Sequence, residues 1–352
     1  MKVLYDPHDQ LDFSQFGIAI PIGRDNAART IEVLLNEAGS LSTPGWLIQT
    51  LTPGPTREDL LRVHTPRFVD ALFAGGSSLE AELMGTFELI LADGSYNRYD
   101  PTAAVKPLTE LFAALLQRGG GTIGAGELAL QHGAAMYMGG GFHHAMADFG
   151  EGFCLYNDVM VAIRRLQSQG SVANAWVVDV DAHKGDGTAA LTQNDPTVAS
   201  FSIHMASGWP LDVSPEQARL APDRSELSFL PSTLDIGIES GQEGDYNRQL
   251  TEALEALWAH RGSTVADATG RPRLVPHPDL VYVHMGADPF EEDELPSTQV
   301  LKLTREQMHQ RDQIVHRFFR ERNVPIAYVM AGNYGEAGWK IYSDFLRWAL
   351  GY

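Results

Sequence analysis

The chain has 352 residues, 44% of them hydrophobic, and 45 acidic against 26 basic residues leave a formal net charge of −19. So acidic a surface repels a phosphate backbone, and no apolar run approaches the roughly 18 residues of a membrane-crossing helix, so neither direct nucleic-acid binding nor membrane insertion is expected. A single cysteine, Cys154, excludes internal disulfides and a thiolate-rich zinc site; any metal is left to His, Asp and Glu, and a cytoplasmic location is expected.

Along the chain, MKVLYDPHDQ runs straight into an apolar strand without the apolar core of a secretion signal. Thr56-Arg57-Glu58-Asp59 has capping-box spacing and marks a helix start. Gly75 to Asp100, rich in Gly, Ser and acidic residues, reads as a long loop, and so does Trp209 to Pro231; loops of that length usually line a site. The apolar run Ala134 to Met138 leads into Gly139, Gly140 and Gly141, which allow close backbone approaches before the adjacent His143 and His144. This glycine run lacks the spacings of a phosphate-binding loop. Asp158 to Gln167 carries apolar residues at helical spacing and stops near Gly170. Apolar runs at 175–180, 198–203, 280–285 and 326–330 alternate with helical patterns, one of which starts at the capping box Thr304-Arg305-Glu306-Gln307. This alternation predicts one α/β domain over residues 1–352, built on a mainly parallel sheet flanked by helices.

The chemistry concentrates at the ends of those strands. In VVDVDAHKGDG, Val177 to Gly187, strand alternation would send Asp179, Asp181 and His183 to one side and the valines to the other. Two carboxylates on a buried face repel each other, and a divalent cation is the simplest compensation. Asp186 adds a further carboxylate in the turn that follows, and the paired histidines with two spare carboxylates could form two His–Asp dyads. Ser202 and His204, His284 and Asp288, and Asn333 and Tyr334 end the other three strands. In open parallel sheets ligands sit beyond the carboxyl ends of the strands, so four such ends predict one site.

Taken together, GGGFHHA with GFCLYND, DVDAHKGDG, the GAD at 286–288 and the AGNYG at 331–335 resemble, in order, the motif series of zinc-dependent histone deacetylases and acetylpolyamine amidohydrolases. The likeness covers nearly the whole chain and is greatest to the class IV branch. It implies a three-layer arginase-deacetylase fold and a hydrolase that removes an acyl group from acyl-lysine or an acetylated polyamine. It further implies Asp181, His183 and Asp288 as zinc ligands, with His144 as general base and acid and His143 as an electrostatic helper. By the same resemblance Asp179 and Asp186 orient the imidazoles, Tyr334 hydrogen-bonds the oxyanion, Gly152 and Phe153 wall the acyl-lysine tunnel, and Asp179 with Ser202 belongs to a potassium site. Trp209 is a further candidate for the wall, and Asp93, Asp100, Glu291 and Glu292 are candidate acids for a rim that would suit a cationic amine.

Two alternatives stand beside this reading. DAHxxD also occurs in binuclear manganese ureohydrolases, which carry a DxDxxDP strand end, whereas HMGADPF offers Asp288-Pro289 without the preceding aspartates. A catalytically silent, metal-stabilised binding protein would have lost its reacting groups, yet His143, His144 and Tyr334 are all present. Oligomeric state is not encoded in any of these patterns.

Overall fold

Short apolar runs become strands because, buried on both faces, they are the segments that a parallel sheet covered by helices can accommodate. The computed structural model describes residues 1–8, 11–23, 25–39, 43–212 and 226–352. Its strands are β1 (Lys2–Leu4), β2 (Leu47–Ile48), β3 (Ala134–Tyr137), β4 (Ala175–Asp179), β5 (Val198–Met205), β6 (Leu234–Ile238), β7 (Ser263–Ala266), β8 (Pro272–Val275), β9 (Leu280–His284) and β10 (Ile326–Val329). Eight of them form one parallel sheet in the order β2-β1-β3-β10-β9-β4-β5-β6, and β7 and β8 pair separately as an antiparallel ribbon. The late strands β10 and β9 thus insert between β3 and β4. The segments that leave β3, β10, β9 and β4 at their carboxyl ends are therefore neighbours in space.

The helices are α1 (Asn26–Ala38), α2 (Arg57–Leu61), α3 (Pro66–Ala74), α4 (Gly76–Thr86), α5 (Glu110–His132), α6 (Asp158–Ser168), α7 (Asp186–Leu191), α8 (Tyr246–Ala259), α9 (Arg305–Glu321) and α10 (Gly338–Leu350). On one face of the sheet, Ile123 and Ala129 of α5 and Val159 and Ile163 of α6 pack on Leu4, Ala135, Val177, Tyr282 and Ala327. On the other, Leu250 and Leu254 of α8, Phe319 of α9, Ile341 and Phe345 of α10 and Leu34 of α1 pack on Val3, Met136, Val178, Phe201 and Val283. The strict alternation of Val177 with Trp176 and Val178 between the two clusters is the strand period made visible. This is the three-layer α/β architecture that the strand and helix patterns predict. A third cluster, with Leu60, Phe68, Leu72, Leu83 and Phe87, joins α2, α3 and α4 to the start of α5. Among the described residues, no helix is long and apolar enough to cross a membrane.

The local signals translate closely. Thr56 and Thr304 each complete a capping box, Asn157 caps α6 by accepting from the Met160 N–H, and Gly170 takes the left-handed conformation just past its end. One expectation needs correction: the stretch 75–100 is not all loop, since α4 occupies Gly76–Thr86. Glycines at its start concealed a helix that buries Leu79 and Leu83, four residues apart. The rest of that stretch folds back on itself through the antiparallel bridge Ile90↔Tyr96. Of the loop expected from Trp209 to Pro231, residues 213–225 lie outside the described residues.

Because the Thr304 hydroxyl serves the backbone of Gln307 and the Gln307 side chain returns to the Thr304 N–H, removing it exposes an orphan donor. Thr304→Ala is expected to lower stability by about 1 kcal/mol, measured as a shift of the urea midpoint at constant slope.

Candidate active site

Strand β4 stops at Asp179, earlier than the alternation of DVDAH suggests, because carboxylates there take over backbone donors. Asp179 Oδ1 accepts from the Asp181 N–H at 3.1 Å, and Asp181 Oδ1 accepts from the His183 N–H at 3.0 Å. These i to i+2 bonds bend the chain locally. Val178, Val180 and Ala182 nevertheless stay on one core face, which leaves the polar residues on the other side. They then divide: Asp181 and His183 turn toward Asp288, while Asp179 turns toward His143.

Asp181, His183 and Asp288 bring one ligand atom each to within 4.8 Å of one another, and all three are buried. His183 Nδ1 lies 3.3 Å from Asp181 Oδ1 and 3.1 Å from Asp288 Oδ2. Backbone groups fix the carboxylates: the Gly332 N–H donates to Asp181 Oδ2 at 2.7 Å and the Ala182 N–H to Asp288 Oδ1 at 3.0 Å. Gly332 is required here, since a Cβ at that position would fall 2.4 Å from Asp288 Oδ2 and 2.6 Å from Asp181 Oδ2. Burial and then the Asp181 charge push the Asp288 carboxyl up to about 7. His183 goes to about 10: burial opposes its charge, but hydrogen bonds and charge from Asp181 and Asp288 prevail. A nitrogen and two carboxylates, crowded together away from water, make a donor set suited to a divalent cation.

Beside this cluster stand the two dyads. His143 Nδ1 is 2.7 Å from Asp179 Oδ2, His144 Nδ1 is 2.7 Å from Asp186 Oδ1, and the two imidazole centroids are 3.9 Å apart. The free edge of His143 faces the ligand cluster, with Nε2 3.8 Å from Asp181 Oδ1. The loop that delivers both histidines is clamped by Asp158, the first residue of α6, whose carboxylate accepts from the Gly141 and Phe142 N–H groups at 2.9 and 2.7 Å. The dyads differ in charge. Burial disfavours a protonated His143, but Asp179 and Asp181 outweigh it and raise the ring to about 9; burial and then the neighbouring His143 hold His144 down at about 4.

An open cavity leads to these groups and is lined by His144, Gly152, Phe153, His183, Trp209, Leu295, Ser297 and Tyr334. Trp209 meets His144 edge-on, with centroids 4.5 Å apart. Gly152, at φ 56°, must lack a side chain, because a Cβ would sit 2.3 Å from the Trp209 ring and 2.7 Å from His144. Burial, followed by the Asp288 and Asp181 charges, pushes the Tyr334 phenol well above 10, so it remains a donor at neutral pH. Ser202 sits opposite Asp179 in the β4–β5 register, and its hydroxyl is 3.5 Å from the Gly185 nitrogen. His284, also opposite Asp179 in register, is fully buried with both ring nitrogens unpaired among the described residues, its centroid 5.3 Å from His143.

The acids at the mouth differ from those expected. Asp93 and Asp100 cap their own turns by accepting from Ser95 and Thr102, Glu292 pairs with Lys340, and none of these, nor Glu291, lines the cavity. The charged residues that do line it are Glu88 and Arg98. Nothing in their immediate neighbours marks them; both are set by backbone conformation rather than by a motif.

A family profile described as the histone deacetylase domain matches residues 24–343. An uncharacterized protein of Picosynechococcus sp. is 34% identical over 218 residues, 62% of this chain and 61% of that protein. Histone deacetylase 2 of Arabidopsis thaliana is 30% identical over 228 residues, 65% of this chain and 51% of its own. The acetoin utilization protein AcuC of Bacillus subtilis is 34% identical over 152 residues, 42% of this chain and 36% of its own. The chain thus matches less than two thirds of each of these relatives' lengths.

The contrast between the dyads sets opposite pH signatures. His143, raised above the ordinary 6.5, contributes stability that is complete below that value and is lost as pH rises through about 9. His144, depressed below 6.5, contributes stability present above that value and lost as pH falls through about 4. In chelator-treated protein, ¹⁵N NMR at pH 7 is expected to show His143 doubly protonated and His144 neutral; the reverse assignment would contradict this electrostatic picture.

Proposed function

The chain belongs to the histone deacetylase family, and from that premise we propose that it is a zinc-dependent amidohydrolase that removes an acetyl or longer acyl group from an amine, either acyl-lysine or an acylated small amine. The observation that carries the proposal is the buried triad Asp181, His183 and Asp288 lying beside two His–Asp dyads, with a phenol and an open cavity at the same place. Two carboxylate donors and one imidazole leave room for water and a carbonyl oxygen in a zinc coordination shell. Zinc held by these three would polarise the scissile carbonyl and acidify water.

The chain's own groups supply the rest. His144, neutral at pH 7 and oriented through Nδ1 by Asp186, is the group able to take a proton from water at Nε2 and return it to the departing amine. His143, held by Asp179 through Nδ1, turns its Nε2 edge toward the reacting centre and supplies electrostatic and hydrogen-bonding help there. Tyr334 donates its phenolic hydrogen to the oxygen on which negative charge develops. Trp209, Gly152 and Phe153 are the walls against which the acyl end would lie. Asp179 and Ser202, adjacent across β4 and β5, belong in this reading to a potassium site. One catalytic domain over residues 1–352 and a cytoplasmic location, supported by the single buried cysteine, complete the proposal.

The ureohydrolase alternative is less well supported. A second manganese beside Asp181 and Asp288 would need further carboxylates, and HMGADPF carries none in the positions just before Asp288.

Tyr334→Phe is expected to lower kcat by about 10²–10³ while bound zinc stays near one per chain, and Asp288→Ala is expected to abolish tight zinc binding. Metal analysis by mass spectrometry and turnover of acetyl-lysine and acetyl-putrescine substrates check both. Near-normal turnover by Tyr334→Phe would remove the phenol from the mechanism, and full metal retention by Asp288→Ala would remove that ligand.

A further inference from the structure

Among the described residues, five other than glycine hold a positive φ: Glu88, Arg98, Phe153, Asn323 and Ala331. Three of these, Glu88 and Arg98 at 53° and Phe153 at 66°, line the cavity that reaches His144, His183 and Tyr334. Side chains in this backbone region are costly, and such residues cluster where function holds them. The fold secures them. Asn97 Nδ2 donates to the Glu88 carbonyl at 2.8 Å, the Ala19 N–H donates to the Arg98 carbonyl at 2.8 Å, and the Phe153 N–H donates to the Thr86 carbonyl at 3.1 Å.

What this backbone presents is a fixed pair of opposite charges. Arg98 Nη1 donates to Glu88 Oε2 at 2.9 Å, and the guanidinium carbon lies 5.5 Å from the Phe153 ring centroid. Both side chains remain more than one third exposed, at 39% and 37%. An ion pair so exposed adds little stability and does not explain why the strained backbone is kept. Among the described residues Glu88 is the one hydrogen-bond partner of the Arg98 side chain, so its fork retains donors for a ligand.

Resting on the deacylase reading, we propose that Glu88 and Arg98 form a head-group subsite for a zwitterion: Arg98 takes a carboxylate and Glu88 an ammonium. An α-amino acid carries those two groups on one carbon, the complement of a cation and an anion held side by side. The preferred substrate class is then a free Nε-acyl-α-amino acid. An acylated polyamine would satisfy Glu88 and meet repulsion from Arg98, and a lysine within a peptide brings neutral amides to both.

The test compares zinc-loaded wild-type protein with Arg98→Gln and Glu88→Gln on three substrates: free Nε-acetyl-lysine, the same compound with its α-amine acylated and its carboxylate amidated, and acetyl-putrescine. The free amino acid is expected to lead the blocked one by about tenfold or more in kcat/KM. Arg98→Gln should erase that lead through KM and improve acetyl-putrescine; Glu88→Gln should weaken the free amino acid and not improve acetyl-putrescine. Equal or better turnover of the blocked substrate or of acetyl-putrescine by the wild type, or a preference that survives in Arg98→Gln, would overturn the proposal. Should no substrate turn over, the deacylase reading fails on its own account. Calorimetry with free Nε-acetyl-lysine then decides the subsite separately: binding weakened about tenfold in Arg98→Gln supports it, and unchanged or absent binding refutes it.

Discussion

Two carboxylates that repel each other, buried where no water can screen them, set the terms for the rest of this molecule. Asp181 and Asp288 are held in place by backbone N–H groups and by glycines that admit no Cβ, and the crowding shows in the raised protonation of Asp288 and the imidazole drawn up between them. Removing one partner from such a cluster leaves an uncompensated charge, and a cation resolves it for the whole set. The crowded, buried donors cost stability, which burial of the core on either side of the sheet offsets.

Topology explains why these groups meet. The early strand β3 delivers the histidines and β4 delivers Asp181 and His183, while the late strands β9 and β10, inserted between them, deliver Asp288 and Tyr334. Residues separated by up to 191 positions, from His143 to Tyr334, therefore share one crevice at the carboxyl rim. Burial disfavours charge on both imidazoles, and their neighbours separate them: Asp179 and Asp181 outweigh it at His143, whereas the charged His143 ring adds to it at His144.

How much of this was legible in the sequence depends on the kind of signal. Alternation of valines with Asp179, Asp181 and His183, the glycine run before His143 and His144, and the caps at Thr56, Gly170 and Thr304 are local chemistry, and the structure repeats them nearly residue for residue. Helix α4 escaped notice because glycines at its start resemble a loop while its buried leucines depend on tertiary partners. The rim escaped for a related reason. Asp93 and Asp100 are conspicuous acids spent on their own turns, whereas Glu88 and Arg98 reach the cavity through left-handed backbone that no composition reveals. Where the chain bends against its intrinsic preference, long-range packing decides, and a linear pattern carries no trace of it.

The most direct measurement is anomalous X-ray scattering at the zinc absorption edge from crystals of the zinc-loaded protein. The account predicts one peak per chain at the divalent-metal site, about 2.0–2.2 Å from carboxylate oxygens of Asp181 and Asp288 and from a ring nitrogen of His183. The absence of a peak there, or two peaks about 3.5–4 Å apart, would contradict it.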